Sequence, residues 1–183
     1  MQSISYNRQL TMPNDIQSTV RSVSTNIDDT KMLSFITEAQ LQDIKPVIGD
    51  SLYIDLLKYA NRSETDPVNE VYDALMDGAI YQYNDVDYMF AGLRFALNYY
   101  AYARIVKFGD GNVTRFGFVN KQDQYSSRPD IAEKQMEYKD ATKTADTVMQ
   151  DCIRFIEHNI ESFPKYAAGK VIKTGITIQC VGD

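Results

Sequence analysis

The sequence predicts an all-α protein: a multi-helix bundle with one long C-terminal helix, a small β-hairpin and a terminal strand. Three observations lead there. Apolar residues recur at three- and four-residue spacing over most of residues 28–162, as they do on one-sided helices. Capping residues stand where these runs begin, and Gly or Pro where they end. Strand-like alternation is confined to short stretches. The chain has 183 residues, 44% hydrophobic and 24% charged, which suits one globular domain with room for arms.

Residues 1–27 are rich in Ser, Thr, Asn and Gln and read as an N-terminal arm with one short element of uncertain type. Ile16, Val20, Val23 and Ile27 keep helical spacing, but the hydroxyl-rich side chains between them favour extended chain. A helix follows from Asp28 or Asp29, with Met32, Leu33, Ile36 and Gln40 on one side. Pro46 ends or kinks it, and Gly49 stops it. The next helix is Ser51–Ala60, with Leu52, Leu56 and Tyr59 inward. Asp66 is expected to cap a third, with Pro67 in its first turn and Val68, Val71, Tyr72 and Leu75 as its stripe. Residues 79–85 read as a short strand or an extended link.

A long helix is expected over 86–108. Phe90, Leu93, Leu97, Tyr100, Arg104 and Phe108 form its stripe. Phe95, Tyr99 and Tyr102 fall on another side. A helix apolar on two sides is either central to the fold or shared with a partner. The aromatic excess is read here as contact with a neighbouring copy. Arg94 and Arg104 either snorkel, stack on tyrosine faces or pair with carboxylates across that contact. Residues 113–129 read as a β-hairpin or projecting loop, with Phe116 and Phe118 on one face if extended. Asp130 caps the longest helix, about 131–162, which at 1.5 Å per residue spans about 48 Å. A domain of this size has a radius of gyration of about 16 Å. The rod must therefore kink or project. Its first half carries small, polar stripe residues and its second half large ones, so the second half is expected in the core. In Val171–Val181, Ile176, Ile178 and Cys180 alternate with Thr177, Gln179 and Val181. This terminal strand needs a partner: the hairpin, the arm or another subunit.

The formal charge is −6, with a sum of −7 over residues 1–100 and +1 over 101–183. No clustered basic footprint for phosphates is visible, which argues against tight nucleic-acid binding. The N-terminus lacks the apolar core of a signal peptide, and no run reaches the length of a membrane span, so synthesis in the cytoplasm is expected. Two cysteines make no disulfide framework, and Cys152 fits a buried apolar position.

No catalytic constellation emerges. The single histidine, His158, reads as a surface helical residue. Metal-protease, zinc, P-loop, dinucleotide and nucleophile-elbow motifs do not occur. Glu133, Glu137 and Asp140 share a helix face at a spacing a divalent cation can use, but a solvated face explains them equally. No catalytic residue, cofactor site or metal site is expected.

Three stretches then carry a resemblance: "FITEAQLQDIKPVIGDSLYIDLL" (35–57), "FAGLRFALNYYAYARIV" (90–106) and "VTRFGFV" (113–119). In order, with a long helix and a closing "N…FP.Y" (Asn159–Tyr166), they resemble head–tail connector (adaptor) proteins of tailed bacteriophages, in the version of crAss-like and other Bacteroidetes phages. The resemblance covers roughly residues 27–166. It implies an α-helical connector domain over 28–166, between the arm (1–27) and a C-terminal strand or tail (167–183). It further implies a ring of about twelve copies in the virion neck, beneath the portal, with DNA passing through the lumen unbound. The partners would be further copies, the portal and other neck or tail proteins. Phe95, Tyr99, Tyr102, Arg94, Arg104, Phe116, Phe118, Ile176 and Ile178 would then be candidate subunit or portal contacts. The alternatives are another phage structural component or an enzyme whose site is not legible.

Overall fold

The computed structural model describes residues 9–21, 27–109, 111–114, 117–120 and 131–166. The protein is mainly helical. In order, the elements are α1 (Pro13–Thr19), α2 (Asp29–Ala39), a π-helical turn (Gln40–Ile44), α3 (Lys45–Ile48), α4 (Asp50–Ala60) and α5 (Glu70–Asp77). Then come strands β1 (Ala79–Tyr83) and β2 (Val86–Phe90), α6 (Leu93–Phe108), β3 (Gly111–Thr114), β4 (Gly117–Asn120), α7 (Ile131–His158) and a 3-10 turn (Ile160–Ser162).

Helix α6 is the centre. It lies along α7 and is flanked by α2, α1 and α5. Leu93, Ala96, Leu97, Asn98, Tyr100, Ala101, Tyr102, Ala103 and Ile105 are all buried, so nearly its whole circumference faces protein. That is the first correction to the sequence reading: Tyr102, placed with the contact side chains, is buried by its own chain, while Phe95 and Tyr99 on the same side are half-buried.

The second correction concerns the arm. Residues 13–19 are helical, not extended, and Leu10 and Ile16 sit in the core. Buried amides hold the segment before α1. Gln40 Oε1 accepts from Leu10 N–H at 2.6 Å, and Gln40 Nε2 donates to Gln9 Oε1 at 2.7 Å. Thr11 Oγ1 donates to Asn98 Oδ1 at 2.8 Å, and Arg94 Nε donates to the Leu10 carbonyl at 2.9 Å. Hydrogen bonds among buried polar groups are costly to leave unmade, so these four define one register for the segment.

Asp28 caps α2 by accepting from Thr30 N–H at 2.8 Å, as expected. Pro46 is met by the π-helical turn, one extra residue taken up just before the residue that lacks an N–H. The cap of α5 is Asn69, not Asp66: Asn69 Oδ1 accepts from Val71 and Tyr72 N–H. Asp66 is engaged earlier, accepting from Ser63 N–H at 2.8 Å in its own turn.

The helix expected to begin at Val86 begins at Leu93. Residues 79–90 form an antiparallel hairpin with Ala79 opposite Phe90 and Tyr83 opposite Val86. Asn84 and Asp85 turn it, both at positive φ (50° and 62°), the geometry of a two-residue hairpin turn. Gly78 and Gly92 close its base at φ 89° and 91°. A Cβ on Gly92 would lie 2.4 Å from Gly78 N, so only glycine allows the two chains to meet there.

Helix α7 is one continuous rod. Its buried residues run from Ala141 to Ile156, and residues 131–140 carry none, as the change in stripe size predicts. It ends at His158, before Ser162.

Candidate assembly surface

The candidate contact residues split into three groups. Arg104 is an internal residue: its side chain is 12% exposed and its Nη1 lies 2.6 Å from Asp43 Oδ2. At that distance the two form an ion pair within the fold. Burial raises the Asp43 carboxyl above its usual range, although Arg104 opposes the shift. Arg104 Nη2 also donates to Gln42 Oε1 at 3.1 Å, fastening the π-helical turn to α6. Nearby, burial and a 2.6 Å hydrogen bond from its hydroxyl to Asp146 raise Tyr100 far above the ordinary phenol range.

Tyr102 is internal too. It is 8% exposed and packs between α6 and α7 with Ala103 and Ala141. Its hydroxyl donates to Glu137 Oε1 at 3.0 Å. Burial, aided by that hydrogen bond, pushes its phenol up to about 12. Tyr102 therefore serves the chain's own packing.

Arg94, Phe95 and Tyr99 are half-buried. Phe95 stacks on Tyr99 with ring centres 5.0 Å apart. Arg94 Nη1 pairs with Asp77 at 2.5 Å. Arg94 and Phe95 line an open cleft of about 310 Å³ with Asp15, Thr19, Asp77 and Asn98. Its polar groups satisfy one another: Asp15 Oδ2 accepts from Met12 N–H at 2.9 Å, and Arg94 is shared between Asp77 and Leu10. Of the remaining candidates, Phe118 lies on β4, whose pairing with β3 places Val113 opposite it. Phe116, Ile176 and Ile178 lie outside the described residues, as does the terminal strand.

The two most exposed large apolar side chains among the described residues lie elsewhere, on a face the sequence reading passed over. Hairpin β1–β2 has two faces. The inner one carries Tyr81, Tyr83, Tyr88 and Phe90. Tyr81 and Phe90 meet Phe155 of α7 at ring distances of 5.0 and 4.6 Å. Tyr83 stacks on His158 at 3.8 Å, nearly parallel, and Tyr81 Oη shares a 3.0 Å hydrogen bond with His158 Nδ1. His158, expected as an ordinary surface residue, is thus half-buried against the hairpin. The outer face carries the cross-strand pairs Ile80–Met89 and Gln82–Asp87. Ile80 is 75% exposed and Met89 77%. The legible signal was the Asn84-Asp85 turn between two alternating runs.

Among the described residues, no group of three or more His, Cys, Asp or Glu side chains is placed to hold a metal ion. Glu137 and Asp140, the spaced carboxylates, are both engaged by Arg21. No helix among them is long and apolar enough to cross a membrane. The buried Cys152 thiol is pushed up to about 12 by burial, which disfavours the nucleophilic thiolate.

A model of a protein family described as a family of unknown function, DUF6712, matches residues 44–176, well over half of the chain, so the chain belongs to that family. No curated protein and no solved structure matches it.

Proposed function

We propose that this member of the DUF6712 family is a structural virion protein: a ring-forming connector in the neck of a tailed phage, joining the portal to the tail. Its copies contact one another and the portal, and DNA crosses the lumen without being gripped. The order of the connector-like stretches supports the phage assignment. The observation that carries the assembly reading is the outer face of β1–β2, where two large apolar side chains stand three-quarters exposed. Scattered single apolar residues on a surface need no explanation, but a cross-strand pair on a rigid hairpin makes a small contiguous patch. The acidic balance supports passive passage of DNA, since a surface of like sign repels the backbone.

Mass photometry and negative-stain imaging of the purified full chain, alone and mixed with the portal protein of the same phage, test the proposal. Rings, alone or seated on the portal, are the expected result. A monomer that ignores the portal would overturn it. Genes for a portal and a terminase beside this one would be expected as well.

A further inference from the structure

The outer face of the β1–β2 hairpin is apolar and acidic. Ile80 and Met89 are flanked by Asp87 on the same face and by Asp85 in the turn, both exposed. The surroundings reinforce the sign: residues 63–93 contain seven acidic side chains and no lysine or arginine. The exposed side of the first half of α7 carries both signs: Glu133 lies three residues before Met136, and two lysines follow it. Met136, 70% exposed, shares a helix face with Lys139 and Lys143 at three- and seven-residue spacing. Both lysines are exposed, and neither has an ion-pair partner among the described residues. On the same face Asp140 is already neutralised by Arg21.

These two patches sit at opposite ends of one rod. The hairpin packs on α7 at Phe155 and His158. Met136 is 22 residues earlier, about 33 Å along a straight helix. One molecule cannot bring them together, but two copies can. A contact between different patches at opposite ends is heterologous, and repetition of such a contact closes a ring or runs on as a filament.

We infer that the β1–β2 hairpin of one copy docks through Ile80, Met89 and Asp87 onto the Met136–Lys139–Lys143 face of α7 in the next copy. The inference rests on the proposed ring and names the contact that builds it. The occupant is a second copy of this chain because the charges are complementary and the apolar elements of both patches are exposed. The chemistry is apolar contact of Ile80 and Met89 with Met136, rimmed by Asp87 with the two lysines. Rim pairs of this kind add selectivity and salt dependence more than affinity.

Cross-linking tests it. Met89→Cys and Met136→Cys are made separately in a Cys180→Ser background, where the remaining Cys152 is fully buried. Both substitutions lie at exposed positions, so folding should be unaffected. Treated with a short bismaleimide, a mixture of the two variants should give heterodimers, and each variant alone should give none. A chain carrying both substitutions should give a ladder. Asp87→Lys should weaken association about fivefold, and Lys139→Glu together with Lys143→Glu should restore it when combined with Asp87→Lys. Self-cross-linking by Met89→Cys alone would mean an isologous contact and would overturn the inference. In a separate chain carrying Met89→Cys with native Cys180 retained, an intramolecular link between the two would mean that the chain's own tail covers the face, and would overturn it too. Rings imaged without any Met89–Met136 link would overturn this contact and leave the proposed function standing. Monomers at all concentrations, with or without the portal, would remove both.

Discussion

Helix α6 and the β1–β2 hairpin are neighbours in the chain, and both are rich in apolar side chains. They use them oppositely. The helix looks overloaded in sequence, yet much of its load is buried: Tyr100 and Tyr102 reach α7 on one side, Leu93, Ala96 and Leu97 are closed in by the rest of the core, and Phe95 and Tyr99 are half-buried. The hairpin looks ordinary, yet it displays Ile80 and Met89 to solvent. The lesson is about enclosure. A central helix can be covered all round, so extra aromatic residues on it report depth in the fold. A two-stranded hairpin has only one face on the core, so large apolar side chains on its other face stay outside.

Substitutions can break or sharpen this contrast, and the largest effects belong to α6. Leu97 is fully buried, and Leu97→Ala should cost about 3 kcal/mol in chemical denaturation of the isolated subunit. Tyr102→Ala should lose a similar amount, about 3 kcal/mol, and Tyr102→Phe only about 1 kcal/mol, the worth of the hydrogen bond to Glu137. If Tyr102→Ala instead left the unfolding midpoint unchanged and reduced only association, the helix would be a contact surface after all. Gln40→Ala should cost about 2 kcal/mol, since it removes the side-chain acceptor of the buried Leu10 N–H and the donor to Gln9 Oε1. Proteolysis near residue 10 should accelerate with it.

A pH experiment bears on the same helix. Tyr102 is raised to about 12 in the folded chain, against about 10 for a free phenol. A raised pKa means the folded state holds the proton more tightly. The stability this contributes is complete below pH about 10 and is lost as pH climbs towards about 12. Alkaline unfolding of Tyr102→Phe should therefore lack that part of the wild-type pH dependence, which titrations followed by circular dichroism would reveal. The smallest effect on folding belongs to the hairpin: Ile80→Ser and Met89→Ser should each change subunit stability by no more than about 0.5 kcal/mol.

The elements most legible in the sequence were those fixed by local chemistry. Asp28 caps α2, Gly49 takes a positive φ, and α7 buries only its later residues, each as its residues suggest. The failures came where tertiary context decides. Phe90 fits a helical stripe with Leu93 and Leu97, so period alone extended the helix back through β2. Gly78 and Gly92, touching across the hairpin base, set the true boundary. The segment around Leu10 looked like a polar arm because its anchors are distant. Gln40 and Asn98 lie 30 and 87 residues away from the groups they hold. Of the candidate contacts on α6, Tyr102 and Arg104 are internal for a related reason: a second apolar side has two explanations, and for Tyr102 the position of α7 separates them. Nothing local to Arg104 announces that Asp43 will lie 2.6 Å from it.

The central claim is that the outer face of the hairpin, and not the aromatic helix, carries self-association. Sedimentation of the wild-type full chain beside Ile80→Ser/Met89→Ser, each over a wide concentration range, addresses it most directly. The account predicts that wild type forms multimers and that the double variant sediments as a monomer with an unchanged melting temperature. Multimers of the double variant as tight as those of wild type would contradict it, as would a wild-type chain that stays single at every concentration.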